Sequence, residues 1–121
     1  MKRLLAILAL AVILVGCEKN NDLVGTKWMT TGFSSFMRLI YGGTWNYWYE
    51  FTSNDEVYCY WTDASGNVID SEGDFQYVYD YPTLVVHTKS GVDSYTFNDK
   101  HSFTYIKPDG ELNKAITFHK Q

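Results

Sequence analysis

Turn-forming residues recur about every eight to twelve residues from Leu23 to the end of the chain, and this rhythm constrains the fold more than any other feature. The segments between the turns are rich in Tyr, Trp, Phe, Thr and Val, which favour β-strands. Helical periodicity is nearly absent. The pattern predicts an all-β domain over residues 23–121, either a sandwich or a barrel. We expect a small antiparallel up-and-down barrel of about eight strands.

The best-defined unit is a hairpin in which residues 44–52 and 56–62 flank a loop at residues 53–55. A three-residue loop fixes the register, and opposite residues of an antiparallel pair share a face. The inward pairs are then Phe51 with Val57, Tyr49 with Cys59 and Tyr47 with Trp61, and the outward pairs are Thr52 with Glu56, Glu50 with Tyr58 and Trp48 with Tyr60. A shift of one residue would bring Glu50 inside, so we expect this register.

The same reasoning predicts shorter strands at residues 68–71, 75–79, 84–88, 92–97, 101–106 and 115–119. Residues 72–74 are predicted as a turn. Residues 34–43 are ambiguous, because Ser34 at an N-cap, apolar residues at helical spacing and a terminal Gly pair allow one short helix. A strand that extends towards Tyr41 fits almost as well. In either form we expect this segment to lie over a barrel end as a lid or plug.

The N-terminal segment predicts where the protein is located. Lys2 and Arg3 precede an uninterrupted apolar run at residues 4–15. At about 12 residues the run is too short for the roughly 20 that a membrane-spanning helix needs, and it is typical of a signal peptide. The run ends in Leu-Val-Gly-Cys at residues 14–17, which resembles the bacterial lipobox.

The lipobox resemblance implies that residues 1–16 are a cleaved lipoprotein signal peptide and that Cys17 carries a diacylglyceryl group on its thiol. Each buried acyl methylene contributes about 0.8 kcal/mol to membrane binding, so two or three chains give stable attachment. Residues 17–22 would then be the lipidated cysteine and a polar, flexible tether. The expected location is the bacterial cell envelope, in the outer membrane, on either its periplasmic or its surface face.

The domain opens with Leu-Val-Gly-Thr-Lys-Trp at residues 23–28. This segment resembles the first strand of lipocalin-like (calycin-type) β-barrel domains in small bacterial lipoproteins. In that family the Trp plugs one end of an up-and-down barrel and a glycine lets the chain pass close beneath it, roles that the resemblance assigns to Trp28 and Gly25. The spacing here is Gly-x-x-Trp, and Arg38 is the only arginine after the signal, so a late arginine is absent. Both features match the looser lipocalin-like group.

Charge and cysteine content limit the partners. The chain has 10 basic and 14 acidic residues, and removal of Lys2 and Arg3 with the signal leaves 8 against 14, a net charge of −6. Such a surface does not attract nucleic acid or anionic lipid, so we expect neither as a partner. With Cys17 lipidated, Cys59 has no intramolecular partner, and we expect a small buried side chain. The alternative is a thiol exposed in a barrel mouth. We expect a monomer.

No motif in the sequence predicts catalysis or metal binding. His87, His101 and His119 lie in or beside separate strands, and we expect them to face solvent. Acidic residues crowd residues 63–80, but their spacing does not match a calcium-binding loop, so solvated loops are the better interpretation. The sequence lacks a Gly-x-Ser-x-Gly motif, a phosphate-binding glycine loop and a Cys-His constellation. We therefore expect a protein that is not an enzyme and that uses no cofactor or metal.

Most of the 4 Trp, 10 Tyr and 7 Phe residues are needed to fill a small barrel. Trp48, Tyr58 and Tyr60 fall on the outward face of the hairpin, where grouped rings could stack on sugar rings or hold a partner protein. The competing interpretation is that residues 34–43 or a neighbouring loop cover these rings. The sequence thus predicts a lipid-anchored, non-enzymatic envelope binding module for an apolar small molecule or a glycan. The alternative is a structural or inhibitory protein that binds another envelope protein.

Overall fold

The computed structural model describes residues 19–121. The predicted signal peptide at residues 1–16 and the predicted lipidated Cys17 lie outside this range and stay predictions. The described chain contains one short helix and eight strands: β1 (Lys27–Thr30), α1 (Ser34–Tyr41), β2 (Asn46–Phe51), β3 (Glu56–Thr62), β4 (Val68–Asp80), β5 (Thr83–Thr88), β6 (Gly91–Asp99), β7 (Ser102–Ile106) and β8 (Leu112–Lys120). Within residues 19–121, no helix has the length and apolar content needed to cross a membrane.

The strands form a closed antiparallel barrel in which each strand pairs with the next in sequence. The barrel closes between β8 and β1, where Trp28 lies opposite Lys120 and Met29 opposite His119. The predicted all-β, up-and-down barrel of about eight strands is confirmed, and the sandwich alternative is wrong. Closure leaves no free sheet edge, which suits a chain this rich in strand-forming residues.

The β2–β3 hairpin has the predicted register. Phe51 lies opposite Val57, Tyr49 opposite Cys59 and Trp48 opposite Tyr60. The inward residues of this hairpin, Phe51, Val57 and Cys59, are fully buried. The three-residue loop and the outward position of Glu50 were sufficient to predict this register, because one face of both strands must be buried.

The predicted turn at residues 72–74 is wrong, because β4 is one continuous strand. Two irregularities interrupt its pairing with β3, the first between Cys59 and Tyr60. At this position Gly73 lies opposite Cys59 and Ser71 lies opposite Tyr60, so Glu72 has no partner. The Gly and the charged residues that suggested a turn therefore form a β-bulge, which bends a strand without ending it.

Residues 34–41 form a helix, so the strand alternative for this segment is wrong. Ser34 is not the N-cap: Phe33 occupies that position, and the Ser34 hydroxyl donates a hydrogen bond to the Trp45 carbonyl oxygen at 2.8 Å. The Phe33 ring packs edge-on against Tyr47 and Trp61 with centroids 5.8 and 5.7 Å away. Phe33, which lies just before the predicted lid or plug at residues 34–43, plugs this barrel end, while no residue of α1 itself is buried.

Aromatic side chains fill the barrel. Phe118 stacks on Tyr49 with centroids 4.6 Å apart and on Phe103 with centroids 4.9 Å apart. This three-ring stack occupies the centre of a core that also contains Leu23, Trp28, Phe51, Val57, Cys59, Tyr77, Leu84, Val86, Tyr95 and Phe97. Small barrels are commonly filled by their own side chains, and this one leaves little central space for a ligand.

The two barrel ends differ in their residues. We call one the Trp28 end, where β1 begins and where Trp28 packs edge-on against Phe97 with centroids 5.6 Å apart. The other is the helix end, which carries α1 and the start of β6. Asn21 attaches the chain to the Trp28 end, because its backbone N–H donates to Asn54 Oδ1 at 2.8 Å and its side-chain amide donates to the Tyr77 hydroxyl at 2.9 Å. The chain therefore already contacts the barrel two residues before Leu23.

Candidate functional site

Strands β2 and β3 bring the three predicted surface residues together on the outer wall of the barrel. Trp48 lies opposite Tyr60, with ring centroids 5.9 Å apart and ring planes within 6° of parallel. The Tyr58 ring lies 5.1 Å from the Tyr60 ring at an interplanar angle of 27°. Because alternate residues of a strand share a face, the three rings form one continuous row.

Hydrogen bonds hold the two outer rings of this row. Trp48 Nε1 donates to Thr62 Oγ1 at 2.7 Å, and the hydroxyl oxygens of Tyr58 and Ser71 are 2.7 Å apart. Tyr60 lies between these rings and is only 7% exposed. The sequence places the Tyr60 ring on the surface, whereas its neighbours bury it. Trp48 and Tyr58 are therefore the rings that a ligand can reach.

The rings line an open groove of about 690 Å³ on the barrel wall, which we call the lateral groove. It extends from Gly25 and Lys27, near the Trp28 end, to Gly66 and Val68 in and after the β3–β4 loop. Among the described residues that line it, none belongs to the 34–43 segment, so the expected cover by that segment is wrong. The β3–β4 loop borders the groove without closing it.

Charged groups accompany the rings in the lateral groove. Lys27 Nζ lies 3.9 Å from Glu50 Oε1, and both side chains are partly exposed. Burial raises the pKa of the Tyr60 hydroxyl, and the nearby Glu50 carboxylate raises it further. The Tyr60 hydroxyl therefore stays protonated at neutral pH. The groove thus combines two accessible aromatic rings with an ammonium group, a carboxylate and hydroxyl groups.

The two motif residues of the lipocalin-like resemblance lie at the Trp28 end. Trp28 is fully buried, and its Nε1 donates to Thr26 Oγ1 at 2.7 Å. Gly25 has a φ of +86°, and a Cβ added there would meet no atom within 4 Å. The resemblance implies a close approach of the chain at Gly25. In this chain, a left-handed backbone is the reason for glycine at this position.

The polar residues considered for metal binding remain dispersed. His87, His101 and His119 are exposed, as predicted. Within residues 19–121, no cluster of three or more histidine, cysteine or acidic side chains could hold a metal ion. Asp63 closes its own loop by accepting hydrogen bonds from the backbone N–H groups of Ser65 and Asn67, both at 2.9 Å. That part of the acidic stretch is a solvated loop, as predicted.

Cys59 is fully buried, which confirms the prediction of a small core residue. Burial raises the pKa of its thiol to about 12. A thiol with such a pKa is protonated at neutral pH and is a poor nucleophile. The alternative of a reactive thiol in a barrel mouth is therefore wrong.

Sequence reasoning missed a second group of polar residues, which line an opening at the helix end. Asp93 lies opposite the buried Val86, and Glu72 lines the same opening with Phe75 and Lys89. Asp93 lies two residues before the inward Tyr95 in β6, so strand alternation alone would have placed the Asp93 side chain on the inward face. The β-bulge that leaves Glu72 unpaired has no comparable signal in the sequence.

Comparison of the chain with family models, curated proteins and solved structures finds no significant match.

Proposed function

We propose that this protein is a lipid-anchored, non-enzymatic binding module of the bacterial cell envelope, and that it holds a glycan in the lateral groove. The observation that carries this proposal is the row of Trp48, Tyr60 and Tyr58 on the outside of a barrel whose inside is filled. Exposed Trp and Tyr rings offer flat apolar surface with polar edges, which matches a sugar ring. The filled interior argues against the other predicted ligand, an apolar molecule in the barrel centre.

The polar groups of the groove support a glycan over a purely apolar ligand. Lys27 and Glu50 provide donors and acceptors beside the rings, and their long, weak contact at 3.9 Å leaves both free to bind hydroxyl groups. The Trp48–Thr62 hydrogen bond fixes one ring before any ligand arrives. A fixed ring loses little conformational entropy on binding.

The proposed anchor determines which end faces the membrane. Asn54 Nδ2 donates to the Lys19 carbonyl oxygen at 3.2 Å, so the described chain begins at the Trp28 end. Lipidated Cys17, only two residues earlier, would hold this end towards the membrane. The lateral groove would then run away from the membrane surface, and the helix end would lie farthest from it.

The glycan proposal is tested by titrating the full chain, purified in detergent, with chito-, cello- and malto-oligosaccharides by calorimetry. We expect saturable binding of at least one series, weakened about tenfold or more by Trp48→Ala and Tyr58→Ala, since tenfold corresponds to about 1.4 kcal/mol. Trp45→Ala and Tyr81→Ala are the matched controls, because these aromatic residues do not line the groove. Equal losses in the control variants, or no binding of any series, would contradict the proposal.

The anchor is tested separately by feeding cells a labelled fatty acid. We expect label in the wild-type protein and in the membrane fraction. Cys17→Ser should abolish both the labelling and the membrane fractionation. Membrane association that persists in Cys17→Ser would mean that residues 4–15 are an uncleaved anchor.

A second candidate function is binding of an envelope protein through α1. Phe36, Leu39, Ile40 and Tyr41 are between 52% and 85% exposed, which is unusual for four large apolar side chains on one short helix. This function predicts that the full chain recovers one specific protein from envelope extract. Leu39→Glu should abolish recovery, and Val92→Glu, at another exposed apolar position, should not.

A further inference from the structure

The helix end of the barrel contains two small cavities that share one residue, Asp93. The first, of about 250 Å³, is lined by Tyr47, Phe75 and Lys89. The second, of about 230 Å³, is lined by Phe33 and Tyr95 among others. Both lie outside the lateral groove, and neither shares a lining residue with it. They are therefore a separate place where a ligand could bind.

Asp93 is an unusual residue for its position. It belongs to the inward set of β6 together with Tyr95 and Phe97, and it lies opposite the fully buried Val86. Burial raises the pKa of its carboxyl group. Among the described residues, none donates a hydrogen bond to this carboxylate or forms an ion pair with it within 4.0 Å. A half-buried carboxylate without a protein partner loses part of its hydration, and a bound cation would compensate for that loss.

The local charge is suited to a cation. Glu72, which the β4 bulge leaves without a strand partner, lines the first cavity together with Asp93. Lys89 lines the same cavity, and it forms no ion pair with either carboxylate among the described side chains. The cavity therefore carries two negative groups against one positive group.

Aromatic rings line both cavities beside Asp93. Tyr47 and Phe75 lie on the side of the first cavity, and Phe33, Tyr95 and Tyr105 lie on the side of the second. Ring faces attract ammonium groups, and they also cover the apolar part of an organic cation. Hydrated metal ions gain little from such walls, and the two carboxylates provide few of the six to eight oxygens that Ca²⁺ takes.

We propose that the helix end binds a small organic ammonium ion, with its charged nitrogen at Asp93 and its apolar body against the rings of the two cavities. Each cavity is smaller than the roughly 300 Å³ of typical small-molecule sites, so the ligand is a small amine. Phe33, the plug residue, covers one side of the bound amine. This site is distinct from the glycan site, and the two proposals can fail independently.

The proposal is tested with phenethylammonium and its neutral counterpart 2-phenylethanol, titrated by calorimetry into the full chain in detergent at pH 7. Phenethylammonium should bind saturably, and 2-phenylethanol at least tenfold more weakly. Asp93→Asn, which keeps the shape of the side chain, should weaken phenethylammonium binding at least tenfold. Glu72→Gln should weaken it less. Asp80→Asn, which removes the same charge from an exposed position at the other end, should leave it unchanged.

Three results would overturn the proposal. One is equal binding of the amine and the alcohol, which would indicate an apolar site only. Another is unchanged amine affinity in Asp93→Asn, with circular dichroism showing a folded variant. The third is Ca²⁺ binding that Asp93→Asn abolishes, together with no amine binding by the wild type.

Discussion

The indole nitrogen of Trp48 donates a hydrogen bond to Thr62 Oγ1 across the β2–β3 hairpin, at 2.7 Å. Thr62 is 2% exposed, so the acceptor is shielded from water. Trp48 is only half-buried, and the bond sets the orientation of its exposed ring. The orientation of an exposed ring in the lateral groove therefore depends on a side chain that is itself nearly inaccessible to solvent.

Thr62→Val tests this dependence because valine has nearly the shape of threonine without the hydroxyl group. The loss of one hydrogen bond should lower the free energy of unfolding by about 1 kcal/mol. Oligosaccharide affinity should fall as well, because the Trp48 ring is no longer held. Urea denaturation and calorimetry measure the two effects. Thr62→Ser keeps the hydroxyl acceptor, so this control variant should bind the oligosaccharide with the wild-type affinity.

The hydroxyl oxygens of Tyr49 and Tyr95 are 2.7 Å apart inside the barrel. Either single change to phenylalanine leaves one buried hydroxyl group without a partner, and should cost about 1–3 kcal/mol in the free energy of unfolding. The double variant removes both groups and should cost clearly less than the sum of the single changes. Urea denaturation of the four proteins gives the coupling energy. Additive losses would contradict a hydrogen bond between these hydroxyl groups.

The buried thiol of Cys59 should resist alkylation. Its pKa of about 12 in the folded protein compares with about 8.5 for a free cysteine, so at pH 8.5 the folded thiol is protonated and inaccessible. Iodoacetamide should therefore label Cys59 slowly in buffer and rapidly in urea, as measured by mass spectrometry. The Cys17→Ser variant removes the other cysteine of the chain, so any label in it is at Cys59. Rapid labelling of the folded protein would contradict the burial of Cys59.

Asp93 should make the protein less stable at neutral pH than in mild acid. Burial raises its folded-state pKa above the unfolded value of about 3.9, so the folded state binds the proton more tightly. The contribution of the protonated group to stability is present below pH 3.9 and is lost as pH rises through the folded pKa. Asp93→Asn should therefore raise the free energy of unfolding at pH 7 and leave it nearly unchanged at pH 3. A lower stability of the variant at pH 7 would contradict this prediction.

Gly32 should tolerate no side chain. A Cβ at this position would lie 2.2 Å from the Ala115 carbonyl oxygen, which belongs to the backbone of β8. Gly32→Ala must push β8 away from the chain that follows β1, and should cost about 1–3 kcal/mol. Gly25→Ala, where the space is open and only the backbone conformation is strained, should cost about 1–2 kcal/mol. Thermal denaturation measures both changes, and a neutral Gly32→Ala would contradict the close approach.

The register of the hairpin at residues 46–62 was predictable because its loop is short and only one register keeps Glu50 on the outer face. Sequence patterns wrongly predicted a turn at Glu72 and Gly73. There a β-bulge interrupts the alternation, and turn-forming residues lie inside a strand. Ser34 was misplaced as an N-cap because its hydroxyl binds Trp45, eleven residues away. Local patterns cannot reveal a contact of that kind.

The all-β class, the antiparallel order, the hairpin register and the burial of Cys59 were readable from the sequence, because they follow from local alternation and from turns. Three features depend on tertiary contacts: Tyr60 is buried between two rings, Phe33 plugs the helix end, and Asp93 and Glu72 line one opening. The rings that cover Tyr60 belong to its own hairpin, whereas Asp93 on β6 and Glu72 on β4 share an opening because the curved sheet brings their strands together. Local alternation sets the face on which a residue lies, whereas the curvature of the sheet and the packing of large rings set which side chains meet.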